Sequence, residues 1–227
     1  MGIKAALFDL DGTLLDSMWV WRRVDERSLT ARGVALPDDY TRAISAMRMH
    51  DAAEYTARRF KLDVEPEALL AEWKAMARDE YAHNVPLKAH ARELLELYRK
   101  RGVRLGIVSS LTPDLYEPVL TRCGVMELFD LVLSATESPR GKAHPDIYVA
   151  AAARLGVRAD ECVMYDDVPE ALCGARAAGM CAVGVYDAHC PNARAELAGV
   201  AARFIMDFAE EIGILYRTAA QCSATGR

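Results

Sequence analysis

The sequence predicts an α/β protein in which a doubly wound, mostly parallel sheet carries a small helical insertion. Three observations lead there. From Gly102 onward, short apolar and β-branched runs alternate with longer amphipathic stretches, the pattern of parallel strands joined by helices. Lys4–Phe8 reads as one more buried strand near the start. Between Ser17 and about Asn84 no strand pattern appears, and the whole stretch reads as helix. The expected organisation is therefore a core from residues 1–16 and 86–227, with an α-helical domain inserted over 17–85.

Within the insertion the expected helices are Ser17–Arg32, closed by Gly33; Asp38–Met47; Asp51–Leu62; and Pro66–His83. The later strands are Val103–Val108, Leu131–Ser134, Cys162–Tyr165 and Ala182–Tyr186. Helices in this half start at Pro113, Pro145 and Pro169, because proline loses nothing in a first turn whose N–H groups lack partners. Gly102, Gly124, Gly156 and Gly179 mark helix ends. The small, polar segment Thr218–Arg227 is expected to fray.

A chain of 227 residues can bury a core without disulfides or a structural metal. Its formal charge of -5 leaves no footprint for nucleic acid or an anionic membrane, which favours a small soluble partner. The six cysteines include no CxxC pair and no secretory leader opens the chain, so reduced thiols in the cytoplasm are expected. No apolar run approaches the ~18 residues of a membrane span. A monomer or weak homodimer is the expected state.

The chemistry concentrates at Phe8-Asp9-Leu10-Asp11-Gly12-Thr13, where an apolar strand ends in two carboxylates one residue apart. Strand alternation would point both the same way. Converging carboxylates repel unless a cation or a shared proton intervenes, so the pair is costly for structure alone. Nucleophilic phosphoryl transfer requires it: one carboxylate attacks phosphorus, the other protonates the leaving alkoxide, and a divalent cation offsets the meeting of two anions. Gly12 allows the sharp turn, and Thr13 can tie it. A calcium loop would need further acidic residues where Thr13, Leu14 and Leu15 stand.

Asp9-Leu10-Asp11-Gly12-Thr13-Leu14-Leu15-Asp16-Ser17 resembles the first motif of haloacid dehalogenase (HAD) superfamily phosphatases, and the others follow in order. The resemblance implies Asp9 as nucleophile, Asp11 as general acid and base, and a magnesium ion held by Asp9, the Leu10 carbonyl, Asp11, Asp166 and Asp167. It further implies that Gly12, Ser109, Ser110 and Lys142 contact the phosphoryl group. Ser109 ends the run Leu105–Val108; a serine there would alone suggest a cap or turn. Lys142 lies in Gly141-Lys142-Ala143-His144-Pro145-Asp146, with Ala143 in place of the usual proline and Arg140 as a rival cation. Asp166 and Asp167 follow a buried strand, although Asp167 could merely cap the helix opening at Pro169. Val168 departs from the small polar residue common next.

The insertion resembles the family's small helical cap and implies a small phosphorylated metabolite as substrate. Among β-phosphoglucomutase-like phosphatases, Trp21 stands where the mutase has a cap histidine and Met49 near its phosphate-binding arginine. Those departures favour hydrolysis over mutase chemistry. Trp19, Trp21, Arg22, Met47, Arg48 and Met49 are the candidate substrate contacts. Asp11 and the Asp166-Asp167 pair disfavour dehalogenation. A phosphosugar mutase and a non-catalytic phosphometabolite binder are the alternatives. The five histidines have no metal-ligand spacing.

Overall fold

The computed structural model describes residues 2–44, 47, 49–138, 140–189 and 193–224. The chain forms two compact units, residues 1–16 with 86–227 and residues 17–85. Along the chain, β1 (Ala5–Phe8) precedes α1 (Trp19–Thr30), α2 (Tyr40–Ile44), α3 (Met49–Phe60) and α4 (Pro66–His83). The larger unit continues with α5 (Ala91–Lys100), β2 (Arg104–Ser109), α6 (Pro113–Arg122), β3 (Leu131–Ser134) and α7 (Asp146–Arg154). It ends with β4 (Cys162–Asp166), α8 (Pro169–Ala177), β5 (Cys181–Val185), α9 (Ala193–Val200), β6 (Arg203–Ile205) and α10 (Phe208–Ala224).

All strand pairings are parallel, in the order β3-β2-β1-β4-β5-β6, and helices flank the sheet as the sequence predicted. Strand order reverses between β1 and β4, which makes their carboxyl ends the crevice where α/β sheets place ligands. The register sets two acidic residues side by side. Phe8 pairs with Tyr165, so Asp9 and Asp166 come next on adjacent strands. The Phe8 and Tyr165 rings stack 4.7 Å apart, and the Tyr165 hydroxyl meets that of Tyr98 at 2.6 Å.

Three segments differ from the sequence reading. The helix expected over Asp38–Met47 is α2, only Tyr40–Ile44, with Met47 in a bend and residues 45, 46 and 48 outside the described set. Of the segment Thr218–Arg227, read as an irregular tail, residues 218–224 are the end of α10, and residues 225–227 lie outside the described set. The sheet also gains β6, a three-residue edge strand with Arg203 inside it. Strands this short and charged keep an edge from pairing elsewhere and hide the apolar alternation that reveals a strand.

In the smaller unit, α4 packs against both α1 and α3. Arg32 bonds both carboxylate oxygens of Glu72, which also accepts from the Ser28 hydroxyl; the Trp73 indole N–H donates to that hydroxyl. Arg23 and Arg27 both reach the buried Glu80. Asp25, on the inner face of α1, is also buried. In this unit no described helix is long and apolar enough to cross a membrane, nor in the other.

Candidate active site

The strand ends of β1 and β4 build the site. The Asp9 backbone N–H donates to the Tyr165 carbonyl at 2.9 Å, extending the β1–β4 ladder one residue past the last paired side chains. Carboxylate oxygens of Asp9, Asp166 and Asp167 then lie within 4.8 Å of one another, all three residues buried. Asp11 is not in this group. Regular strand geometry stops at Phe8, so alternation no longer governs where Asp11 points; Asp11 instead bridges to Leu15 in the turn.

Lys142, from the segment before α7, enters the cluster. Its ammonium lies 2.7 Å from Asp9 Oδ1 and 2.7 Å from Asp166 Oδ2. The first contact is a directed hydrogen bond. The second is close enough for an ion pair but lacks hydrogen-bond direction, which leaves Asp166 Oδ2 as a buried oxygen without a hydrogen-bond partner. Tyr148 and Gly174 place this lysine. The Tyr148 hydroxyl lies 3.0 Å from the Lys142 carbonyl and 2.9 Å from that of Ala171, sharing its proton between them. Gly174 in α8 passes so close to the Lys142 carbonyl that a Cβ there would overlap it.

Charge is unbalanced. Burial pushes the Asp166 carboxyl up, Lys142 pulls it back, and Asp9 raises it again. Burial and the charges of Asp166 and Asp9 push Asp167 up to about 8, against the lowering effects of the Thr13 hydroxyl and Lys88. For Lys142, burial alone favours the neutral amine, but Asp166 and Asp9 outweigh it and hold the ammonium above its ordinary range. Three carboxylates face one ammonium. An all-oxygen, buried, under-neutralised cluster in which one carboxylate oxygen accepts no hydrogen bond is a donor set for a hard divalent cation.

A family model of haloacid dehalogenase-like hydrolases matches residues 3–179. The chain belongs to this family. The hydrolase is 32% identical over 194 residues to validoxylamine A 7'-phosphate phosphatase of Streptomyces hygroscopicus subsp. limoneus, covering 85% of this chain and 90% of the relative. With hexitol phosphatase B of Escherichia coli it shares 28% over 190 residues, 78% of this chain and 81% of the other. A solved HAD family hydrolase from Deinococcus radiodurans, with bound phosphate and sodium, superposes at a TM-score of 0.76 and 27% identity, covering 96% of both chains. With phosphatases as relatives over most of its length, the hydrolase is an enzyme of the phosphoric monoester class.

In the hydrolase the turn after Asp9 is closed by backbone hydrogen bonds to Leu10. The Leu10 carbonyl, expected as a metal ligand, accepts the backbone N–H groups of Thr13 at 3.2 Å and Leu15 at 2.8 Å. Gly12 has φ of 73° and sits against the Asp167 carboxylate, where any Cβ would overlap it. Thr13 donates its hydroxyl to Asp167 Oδ1 at 2.8 Å. Asp167 is thus fixed by this turn rather than capping α8, and Asp166 Oδ1 accepts the Val168 N–H at 3.0 Å in a local turn.

Ser109 ends β2 and is buried, with its hydroxyl accepting the Leu111 N–H at 3.3 Å; Ser110 is exposed. Arg140, the rival of Lys142, is held away by both oxygens of Asp146 at 2.7 and 2.8 Å. Trp21 on α1 and Met49, the exposed first residue of α3, belong to the smaller unit, as do Trp19, Arg22 and Met47. Arg48 lies outside the described residues. Sequence reasoning missed Lys88, Tyr148 and Gly174. None belongs to a motif, and their partners become visible only in the folded chain.

Proposed function

We propose that this hydrolase is a magnesium-dependent phosphatase acting on a small phosphorylated metabolite through an aspartyl-phosphate on Asp9. The observation that carries this reading is the meeting of Asp9 with Lys142, Asp166 and Asp167 at the switch point of the sheet. Asp9, Asp166 and Asp167 would hold the cation. When bound, it supplies positive charge that lets a carboxylate approach a phosphate dianion.

The chain's own residues carry the rest. An Asp9 oxygen attacks phosphorus in line, the bond from phosphorus to the ester oxygen breaks, and Asp11 gives that oxygen its proton. Asp11, now a carboxylate, takes a proton from water as the water oxygen attacks the aspartyl-phosphate. Inorganic phosphate leaves, and Asp9 is restored. Lys142 orients Asp9 and balances charge on the phosphoryl oxygens, with the Ser109 hydroxyl as a further donor and Ser110 and the Gly12 backbone as the remaining candidates.

In this reading residues 17–85 are the cap that selects substrate, with Trp21, Arg48 and Met49 as its candidate contacts. The enzyme is cytoplasmic and monomeric or weakly dimeric. Sugar phosphates and polyol phosphates are the first class to test, since the relatives named above include a hexitol phosphatase. The test is phosphate release from such a panel with magnesium and with EDTA, for the parent and Asp9→Asn. Release by Asp9→Asn at the parental rate, or an isomerised sugar phosphate as sole product, would overturn the proposal.

A further inference from the structure

We infer that Lys88 is a positioning residue of this active site, acting through the Gly12 carbonyl to fix the turn that carries Asp11 and Thr13. The inference rests on the phosphatase reading above for the roles of Asp11 and Asp167.

Lys88 lies where the chain returns to the larger unit. Its backbone N–H donates to the Leu14 carbonyl at 2.8 Å, and the Asp16 N–H donates to the Pro86 carbonyl at 3.0 Å, so segments 14–16 and 86–88 run side by side. From that anchor the side chain turns inward and is only 14% exposed. An ammonium has three protons to donate. Here two carbonyls accept from it, that of Gly12 and that of Tyr186 at 2.7 Å, and Asp187 Oδ2 forms an ion pair with it at 2.8 Å. One cation therefore joins the turn after β1 to the segment after β5.

Pairing with Asp187 alone would account for a buried lysine. The bond to Gly12 goes further, because the Gly12 carbonyl and the Thr13 N–H belong to one rigid peptide plane. Holding the oxygen sets the direction of that N–H, which donates to Leu10, and hence the position of the Thr13 hydroxyl on Asp167 Oδ1. Asp11 is the residue on the other side. Lys88 thus supports both the proposed acid and base and one proposed metal carboxylate without touching substrate.

Two roles predict different outcomes for Lys88→Met combined with Asp187→Asn. Replacing both removes the unpaired buried carboxylate that Lys88→Met alone would leave, so the double variant regains most of the lost thermal stability. If Lys88 positions the turn, its kcat stays about tenfold to hundredfold below the parent while KM changes less than about threefold. Its magnesium affinity, read from the metal-induced shift in Tm, weakens about tenfold. Asp187→Asn alone, which keeps Lys88 on Gly12, holds kcat within about threefold of the parent. Parental kcat and parental magnesium affinity in the folded double variant would overturn the inference. Failure of the double variant to fold would also overturn it, by assigning Lys88 to stability. A parent that releases no phosphate from any substrate sinks the phosphatase reading instead, and the magnesium titration then decides on Lys88.

Discussion

Phe8 and Tyr165 are register partners on adjacent parallel strands, their rings 4.7 Å apart and within 8° of parallel. The residue after each is a carboxylate of the candidate site. The apolar stack is therefore the last side-chain pair before Asp9, which follows β1, and Asp166, which closes β4 beside Gly184 of β5. Phe8→Ala is expected to cost about 3–5 kcal/mol of stability. Urea unfolding measures it; a loss under about 1 kcal/mol would mean that the strand ends are held by other contacts.

Gly174 should tolerate no side chain. A Cβ there would run into the Lys142 carbonyl and lie 2.9 Å from Tyr148 Cε2. Because backbone cannot yield as a side-chain tip can, Gly174→Ala is expected to displace Lys142 and lower kcat about tenfold or more. Tyr148→Phe, which loses only a shared hydrogen bond, should cost about 1 kcal/mol of stability. Equal activity in Gly174→Ala and the parent would show that the Lys142 segment moves freely.

Metal binding should be visible without turnover. A ligand that binds only the folded chain stabilises it by about 2.7 kcal/mol at a hundredfold excess over Kd, so magnesium should raise the parental Tm. Asp167→Asn removes one carboxylate of the buried group and should abolish most of that rise. A shift of the same size in the variant would place the cation elsewhere.

Burial pushes the Asp25 carboxyl from 3.8 up to about 7. The folded chain then binds this proton more tightly than the unfolded chain, so stability falls as pH climbs from about 4 to about 7 and stays lower above it. Asp25→Asn should remove that loss, making the variant more stable than the parent at pH 8 by roughly 2–4 kcal/mol and by clearly less at pH 5. Denaturant unfolding at the two pH values provides the comparison. An identical difference at both would show that Asp25 does not titrate in this range.

The parts of the site that the sequence displays are those attached to strong strand patterns. Asp9 follows four fully buried residues and Asp166 closes five, so their placement at strand ends could be read directly. Asp11 could not be placed the same way, because alternation holds only while the strand does. The Leu10 carbonyl shows a second limit: backbone oxygens carry no residue identity, and the hydrogen bonds they accept depend on the folded turn. Lys88 and Asp187 illustrate a third, since an ion pair between distant segments leaves no local pattern. The same holds for β6, whose three residues include a charged Arg203, and for the end of α10, where polar composition concealed a helix.

The side-by-side course of residues 14–16 and 86–88 has a consequence for how such a protein can change. Both ends of the excursion are clamped together by the core's own hydrogen bonds, so the core senses little of what is spliced between them. Closing a longer or shorter excursion changes the entropy only logarithmically, about 0.6 kcal/mol per doubling of length. A graft of a different helical segment between Asp16 and Pro86 should leave the chemistry in place and re-target it.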